Sequence, residues 1–136
     1  MTLVGQLIQH EGYKTIPYQD SLGVWTVGVG HNMGRPLSHK AIMQILQDDI
    51  RDATNDCLHA FPWFADLSEP RQWVMIDMCF NLGLTKLRKF VKFLSAMERG
   101  DYHQASVDML DSTWARQVGY AQGQRAWNLA EMIRKG

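Results

Sequence analysis

The decisive stretch of the sequence is EGYKTIPYQDSLGVWT, residues 11–26. It places the carboxyl groups of Glu11 and Asp20 and the hydroxyl of Thr26 between an apolar helical pattern and a glycine-punctuated segment. Hydrolysis of a glycosidic bond needs one carboxylic acid to protonate the leaving oxygen and a second group to hold or activate water on the opposite face of the sugar. A lone acidic residue is more often a solvated surface charge. The combination of residues in this setting nevertheless indicates a candidate glycosidase site.

The residues before this stretch predict a first helix. A Thr2 cap opens the helix, and the pattern runs out near Glu11 and Gly12. The apolar positions recur at helical spacing: Leu3, Val4, Leu7 and Ile8. Glu11 is therefore expected at a helix C-terminus.

Two strands are predicted after this helix, over residues 15–20 and 24–29. The segment Ser21-Leu22-Gly23 joins them, and Gly23 can adopt the left-handed conformation that a three-residue hairpin loop requires.

Side chains on this hairpin alternate between its two faces. Tyr18 and Asp20 therefore share a face, as do Thr26 and Gly28. We expect the hairpin to present Asp20 and Thr26 towards one cleft.

The run VGVGH, residues 27–31, resembles a nucleotide-binding glycine loop only superficially. No phosphate-binding lysine follows, and Met33 stands where a third glycine is needed. Gly28 and Gly30 are instead predicted to permit a close backbone approach or a bend at the strand end. For His31, a structural hydrogen bond from the hairpin to the helical part is favoured over a catalytic role.

Apolar spacing in the rest of the chain is helical, so the predicted fold class is α+β and predominantly α-helical. The expected helices run from a Ser38 cap to Cys57, from Ser68-Glu69-Pro70 to a Gly83 C-cap, over 87–99, from an Asp101 cap to about 110, and over 124–134.

Length and charge restrict the remaining choices. A chain of 136 residues predicts a single domain, residues 1–136. Lys plus Arg and Asp plus Glu are each 14, so no net field draws the chain to nucleic acid or an anionic membrane. The segment from Arg71 to Arg99 contains six basic and two acidic residues. This segment either meets an acidic polymer or is a solvated helix face, and the second interpretation is favoured.

Neither a metal nor another cofactor is expected. Cys57 and Cys79 lie in apolar helical patterns, without a CxxC motif or a histidine at metal-ligand spacing, so we expect buried thiols. Residues 1–12 lack a basic start and a long apolar run, so neither a signal peptide nor a membrane span is predicted. We expect synthesis in a cytoplasm without general secretory export.

The residues at the catalytic stretch resemble the phage-type (T4-like) lysozymes, glycoside hydrolase family 24. The matching positions are the HEG triplet at 10–12, Tyr18, Asp20, Gly23, Thr26 and the VGVGH run. A second region is similar to the family's helical lobe: FNLG at 80–83, the W-x-x-Q-V-G motif of 114–119 and QRAWNLAEMIR at 124–134. The resemblance implies a lysozyme-like fold with a small N-terminal hairpin and a helical lobe. It also implies a phage endolysin that cleaves the β-1,4 bond between N-acetylmuramic acid and N-acetylglucosamine.

The resemblance implies a role for each catalytic residue. Glu11 corresponds to the general acid, Asp20 to the carboxylate that orients water or stabilises developing positive charge, and Thr26 to the hydroxyl that positions the attacking water. The family is described as inverting, and a threonine that holds water needs the room between carboxylate and sugar that inversion provides.

Supporting positions are implied by the same resemblance. They are Tyr18, His31, Asn81, Trp114, Gln117 and Arg125. Arg125 corresponds to a cation that pairs with Glu11. For Asn81, a hydrogen bond to an acetamido group and a helix-end cap both remain open. Trp73 and Trp127 are expected in the core.

The chain departs from longer family members at two places. Residues 32–37 replace a larger β-rich lobe, and residues 120–123 are extra sequence before Arg125. Sugar contacts of the larger lobe therefore cannot be transferred.

Two other functions remain as alternatives. A lytic transglycosylase consumes no water, so Asp20 and Thr26 argue against it. A non-catalytic glycan-binding module has no need of the three intact catalytic residues.

The resemblance also implies a biological setting. The partners that it implies are peptidoglycan glycan strands. Zero net charge and the lack of a long apolar run predict neither nucleic-acid binding nor membrane insertion, and a monomer is the default for an enzyme that moves through a wall mesh. We expect the protein in the host cytoplasm before release, acting on the peptidoglycan of the periplasm or cell wall. Holin-dependent release, a tail-associated lysozyme and translocation by secretion machinery remain open as delivery routes.

Overall fold

The computed structural model describes residues 2–136, which fold as two compact units. The first unit ends at Met43, and the second comprises Gln44–Gly136. The predicted α+β class with predominant helix is confirmed. The division into compact units does not test whether the chain folds as one domain, so the predicted single domain stays a prediction.

A helix and a small sheet form the first unit. The helix α1 covers Leu3–Glu11, and the Thr2 hydroxyl accepts a hydrogen bond from the Gly5 N–H at 3.0 Å. The strands are β1 (Lys14–Gln19), β2 (Trp25–Gly28) and β3 (His31–Asn32), antiparallel in the order β1-β2-β3. The predicted cap and the predicted end of α1 are both confirmed.

The tight turn between β1 and β2 is the predicted three-residue loop. The Asp20 N–H donates to the Val24 carbonyl at 3.0 Å, and the Gly23 N–H donates back to the Asp20 carbonyl at 3.0 Å. Gly23 has a φ of +80°, the left-handed conformation that its lack of a Cβ permits.

The sheet differs from the prediction in its irregularities. The register shifts between Lys14 and Tyr18, around Pro17, which has no N–H to offer the ladder. Gly28 and Gly30, with φ of +68° and +64°, turn the chain from β2 into β3. The predicted bend at these glycines is confirmed, whereas β3 was not predicted because a two-residue strand leaves no pattern.

The second unit is helical. Its elements are the remainder of α2 (His39–Ala60), a 3₁₀ helix (Phe64–Asp66), α3 (Glu69–Leu82), α4 (Leu84–Leu87), α5 (Val91–Glu98), α6 (Tyr102–Leu110), α7 (Thr113–Val118) and α8 (Arg125–Lys135). The predicted Ser38 cap of α2 is confirmed, since its hydroxyl accepts from the Ala41 N–H at 3.1 Å. No helix among residues 2–136 is long and apolar enough to cross a membrane.

One predicted helix begins later than expected. The helix predicted over 87–99 is α5 alone, the short α4 before it was not predicted, and residues 88–90 form a break between the two. At the break, the Phe90 ring packs edge-on against both Phe93 and Trp114, with centroids 6.5 and 6.2 Å apart. We attribute the break to this aromatic packing, which a continuous helix pattern does not reveal.

The core of the second unit is made of residues from almost every helix. Its fully buried side chains with the largest volumes are Phe93, Met75, Met78, Leu87, Met97, Met109, Ile133 and Val74. Trp73 was predicted in the core, but 55% of it is exposed, because it lines an open groove with Asp77 and Arg125. Trp127 is half-buried.

The two cysteines are buried free thiols, as predicted. Cys57 on α2 is adjacent to Cys79 on α3, and burial raises the pKa of both thiols. Both sulfurs are therefore kept in the unreactive neutral form at neutral pH.

Candidate active site

All three predicted catalytic residues lie in the first unit. Glu11 is the last residue of α1, Asp20 follows β1, and Thr26 is on the central strand β2. Glu11 is exposed and Asp20 is half-buried, whereas only 4% of Thr26 is exposed. The acid is thus open to a ligand, and the hydroxyl is fixed inside the sheet.

The end of α1 determines where Glu11 lies. Gly12 has a φ of +84°, and its N–H donates to the Ile8 carbonyl at 2.8 Å, which closes the last turn. The Glu11 carboxyl group lies against the backbone of Gly30, in the turn between β2 and β3. The helix end and the sheet therefore meet at the predicted acid.

Asp20 is held by the hairpin turn. Its Oδ1 accepts hydrogen bonds from the Leu22 N–H at 2.8 Å and the Val24 N–H at 2.9 Å. Within residues 2–136, Oδ2 has no hydrogen-bond partner, so this oxygen is available to a water or a sugar. The hydrogen bonds to Oδ1 thus orient the carboxylate, and Oδ2 can accept a hydrogen bond from a ligand.

The Thr26 hydroxyl also combines a hydrogen bond to the backbone with a free acceptor. Its hydroxyl donates to the Val24 carbonyl at 2.9 Å, so the oxygen retains lone pairs that can accept a hydrogen bond from water. Because the hydroxyl proton is already in this hydrogen bond, Thr26 can accept a hydrogen bond but has no further proton to donate.

Strand register brings Asp20, Tyr18 and Thr26 to one face. Tyr18 lies directly opposite Thr26, and the Asp20 N–H continues the ladder to the Val24 carbonyl. Residues that face each other across a ladder point to the same side, and so do residues two apart on one strand. The register therefore agrees with the prediction that the hairpin presents Asp20 and Thr26 together.

His31 lies on β3, opposite Val27. Its Nε2 atom is buried and has no hydrogen-bond partner in the described part of the chain. The predicted hydrogen bond from this ring to the helical part stays a prediction.

The second unit contains a separate polar cluster around Trp114. The buried Trp114 indole Nε1 donates to the Asn81 Oδ1 at 2.8 Å. An indole N–H only donates, so the Asn81 oxygen must face it, and the Nδ2 hydrogens are left for another acceptor. Asn81 does not cap α3; Gly83 does, as predicted, with a φ of +80°. Gln117 is exposed one turn after Trp114 on α7.

Arg125 is the first residue of α8 and pairs with Asp77 on α3. Its Nε and Nη2 atoms donate to the Asp77 Oδ1 at 3.0 and 2.6 Å. Both side chains are more than a third exposed and line a groove of about 430 Å³ beside Trp73. Sequence reasoning missed Asp77. The predicted pairing of Arg125 with Glu11 stays a prediction.

The extra residues 120–123 form a closed turn before Arg125. The Gln124 N–H donates to the Ala121 carbonyl at 2.9 Å, and the Ala126 N–H donates to the Gly119 carbonyl at 2.8 Å. The additional residues therefore lead directly into the N-terminus of α8 without extending it.

Sequence reasoning did not identify Gly30 as part of the site. The signal was present in the VGVGH run, where a glycine that bends the chain also marks a point of close backbone approach. The group that approaches Gly30 is the Glu11 carboxyl.

The fold and the site together define an α+β protein of the lysozyme-like class. The family model described as "Phage lysozyme" matches residues 8–131, and the chain belongs to this family.

Two proteins of Dictyostelium discoideum are similar to the chain. "Probable T4-type lysozyme 2" is 23% identical, over 86% of this chain and 86% of the relative. "Probable T4-type lysozyme 1" is 24% identical, over 79% of this chain and 81% of the relative. Family membership supports a lysozyme-like peptidoglycan hydrolase, and lysozyme activity is that of a glycosidase.

Proposed function

We propose that this protein hydrolyses the β-1,4 bond between N-acetylmuramic acid and N-acetylglucosamine in peptidoglycan, with inversion at the anomeric carbon. The observation that carries the proposal is the arrangement of the first unit. An exposed Glu11 ends α1, and Asp20 and Thr26 share one face of the sheet, each with hydrogen-bonding capacity left over.

In the proposed reaction, Glu11 in its protonated form gives its proton to the glycosidic oxygen as the C–O bond breaks. Positive charge develops on the sugar ring, and the Asp20 carboxylate stabilises it. A water held by the Thr26 oxygen and by Asp20 attacks the anomeric carbon from the opposite face. The proton that this water loses passes to Asp20, so the protons balance.

Thr26 supports the inverting course. Its hydroxyl proton is engaged by the Val24 carbonyl, so Thr26 can only accept from the attacking water. The water then donates a hydrogen bond to Thr26, and its own lone pair is free to attack the anomeric carbon. A direct attack by water is the step that distinguishes inversion from a covalent glycosyl-enzyme route.

The helical unit offers a group suited to an N-acetyl sugar. The Asn81 Nδ2 hydrogens are unused after the bond to Trp114, and an amide donor matches the carbonyl oxygen of an acetamido group. Gln117 is an exposed amide of the same kind on α7.

The first test is Glu11→Gln, which keeps the size of the side chain and removes its ability to donate a carboxylic proton. We expect the rate of wall hydrolysis to fall at least about 10²-fold, with unchanged thermal unfolding. Glu98→Gln is the matched control, because Glu98 is also an exposed last residue of a helix. Substantial activity in Glu11→Gln would show that the acid is misassigned.

Product analysis separates the alternatives. Mass spectrometry of digested walls should give muramic acid with a reducing end, and NMR of fresh product should give the α-anomer first. A dominant 1,6-anhydromuramyl product would instead identify a lytic transglycosylase. Wall binding without any cleavage product would identify a glycan-binding module.

For the biological role, we propose a phage endolysin that acts on bacterial peptidoglycan after holin-dependent release. Expression in a bacterial cytoplasm should leave cells intact until the inner membrane is permeabilised, and the culture should then clear. Clearing without permeabilisation would exclude the holin-dependent route.

A further inference from the structure

The absence of a side chain at residue 30 is what leaves room for the Glu11 carboxyl group. A Cβ placed on Gly30 would lie 2.8 Å from the Glu11 Oε2, 3.1 Å from its Cδ and 3.1 Å from its Cβ. The first distance is closer than real Cβ atoms come to another heavy atom. A side chain at this position therefore requires Glu11 or the turn itself to shift.

Gly28, two residues earlier, provides a contrast within the same turn. Gly28 and Gly30 have nearly the same backbone conformation, with φ of +68° and +64°. A Cβ on Gly28, however, would meet nothing within 4 Å. Both positions favour glycine for its backbone freedom, but only position 30 also has a neighbour in the way.

The displacement would involve the whole Glu11 side chain. The crowded atoms include the Glu11 Cβ as well as the carboxyl oxygen, so rotation of the end of the chain alone does not relieve the contact. Glu11 is exposed, so its carboxyl group has space to rotate away. Its Cβ is fixed by the helix backbone, so the 3.1 Å contact is relieved only by a shift of a few tenths of an ångström between the turn and the end of α1. The expected consequence is a folded protein with a misplaced acid.

We infer that Gly30 is a positioning residue for Glu11, because its backbone forms the surface against which the carboxyl group rests. The catalytic consequence rests on the proposed function, in which Glu11 must reach the glycosidic oxygen. A general acid works within hydrogen-bond distance, and a displacement of about 1 Å can cost about 10²-fold in rate.

The test compares Gly30→Ala with Gly28→Ala. Both alanines adopt a left-handed φ, so both variants should lose thermal stability, and Gly30→Ala should lose more because its Cβ also meets Glu11. We expect Gly30→Ala to lower kcat at least about tenfold while KM changes less than about twofold, as for loss of a transition-state interaction. Gly28→Ala should retain the wild-type kcat. An equal loss of kcat in both variants, or no loss in Gly30→Ala, would overturn the inference.

A second measurement does not depend on activity. Protein labelled with ¹³C at the glutamate carboxyl groups gives an NMR signal for Glu11, which Glu11→Gln identifies by its disappearance. This signal should move in Gly30→Ala and stay in place in Gly28→Ala. If it stays in place in both, or moves equally in both, Gly30 does not position Glu11. If the wild-type chain fails to cleave peptidoglycan, the proposed function fails, while this signal still decides the role of Gly30.

Discussion

At the residue scale, Asp20 and Thr26 are each tied to the backbone of their own hairpin. Asp20 receives the Leu22 and Val24 N–H groups, and Thr26 donates to the Val24 carbonyl. Both side chains are therefore held in place before any substrate arrives. Such preorganisation lowers the cost of orienting groups during the reaction. Each side chain therefore has a structural role that a mutation can separate from the chemical role proposed for it.

Asp20→Asn should separate these tasks. The asparagine oxygen can accept the same two N–H bonds, so we expect the unfolding free energy to change little. The negative charge is lost, and the hydrolysis rate should fall by about 10²-fold or more. Asp20→Ala is the comparison, since it also removes the acceptor and should cost about 1–3 kcal/mol in urea denaturation. Full activity in Asp20→Asn would reduce Asp20 to a turn residue.

Thr26 can be tested with a hydroxyl-conserving pair. Thr26→Ser keeps the oxygen that accepts from water, whereas Thr26→Ala removes it. We expect about a 10²-fold loss of kcat in Thr26→Ala through misplaced water, and a much smaller loss in Thr26→Ser. Circular dichroism should show both variants folded. If the two substitutions lower kcat equally, the hydroxyl has no part in holding water.

At the element scale, the long elements can be predicted from the sequence, whereas the shortest ones cannot. The helix α1, its cap and the β1–β2 turn follow from signals that lie within a few residues of one another. By contrast, α7 has six residues, too few for a clear apolar period. Its start is nevertheless encoded, because Ser112 is a good N-cap: its hydroxyl accepts from the Ala115 N–H at 3.1 Å.

The cap of α7 gives a stability prediction. Ser112 also donates to the Met109 carbonyl at 2.7 Å, so one hydroxyl joins the end of α6 to the start of α7. Ser112→Ala should lower the unfolding free energy by about 1 kcal/mol, measured by urea denaturation. Thr113→Ala is the control, since Thr113 is exposed on the same turn. Equal effects of the two substitutions would mean that the cap contributes nothing specific.

At the scale of the whole molecule, charge is balanced overall but not locally. The chain carries 14 basic and 14 acidic residues. Lys86, Arg88, Lys89 and Lys92 are exposed on and between α4 and α5, without an ion pair in the described part of the chain. Such a segment can remain solvated or can attract an anionic polymer.

Zero net charge predicts weak electrostatic steering. Raising the ionic strength from about 0.01 to about 0.15 M shortens the Debye length from about 30 to about 8 Å. We expect the rate of hydrolysis of isolated walls to change less than about twofold over this range. Lys89→Gln/Lys92→Gln, which only removes two basic charges, should behave as the wild type does. A steep salt dependence that this double variant abolishes would assign the basic segment a binding role.

Local signals in the sequence predict the helix that ends at Glu11 and the turn at Gly23, and residue type marks Glu11, Asp20 and Thr26 as candidate catalytic residues. These features depend on caps, glycine conformations and periodicity, which act between residues close together in the chain. The predicted strand bounds were less accurate, because a bulge and a two-residue strand leave only weak local patterns.

Contacts between distant groups follow from tertiary packing and not from local signals. Arg125 pairs with Asp77, 48 residues away, and Trp114 bonds to Asn81 over 33 residues. The approach of Gly30 to Glu11 and the exposure of Trp73 also depend on tertiary packing. Contacts of this type depend on how whole elements pack, and the local pattern around either partner contains no record of the other. The residue types of the site are therefore a property of the sequence, and their neighbours are a property of the fold.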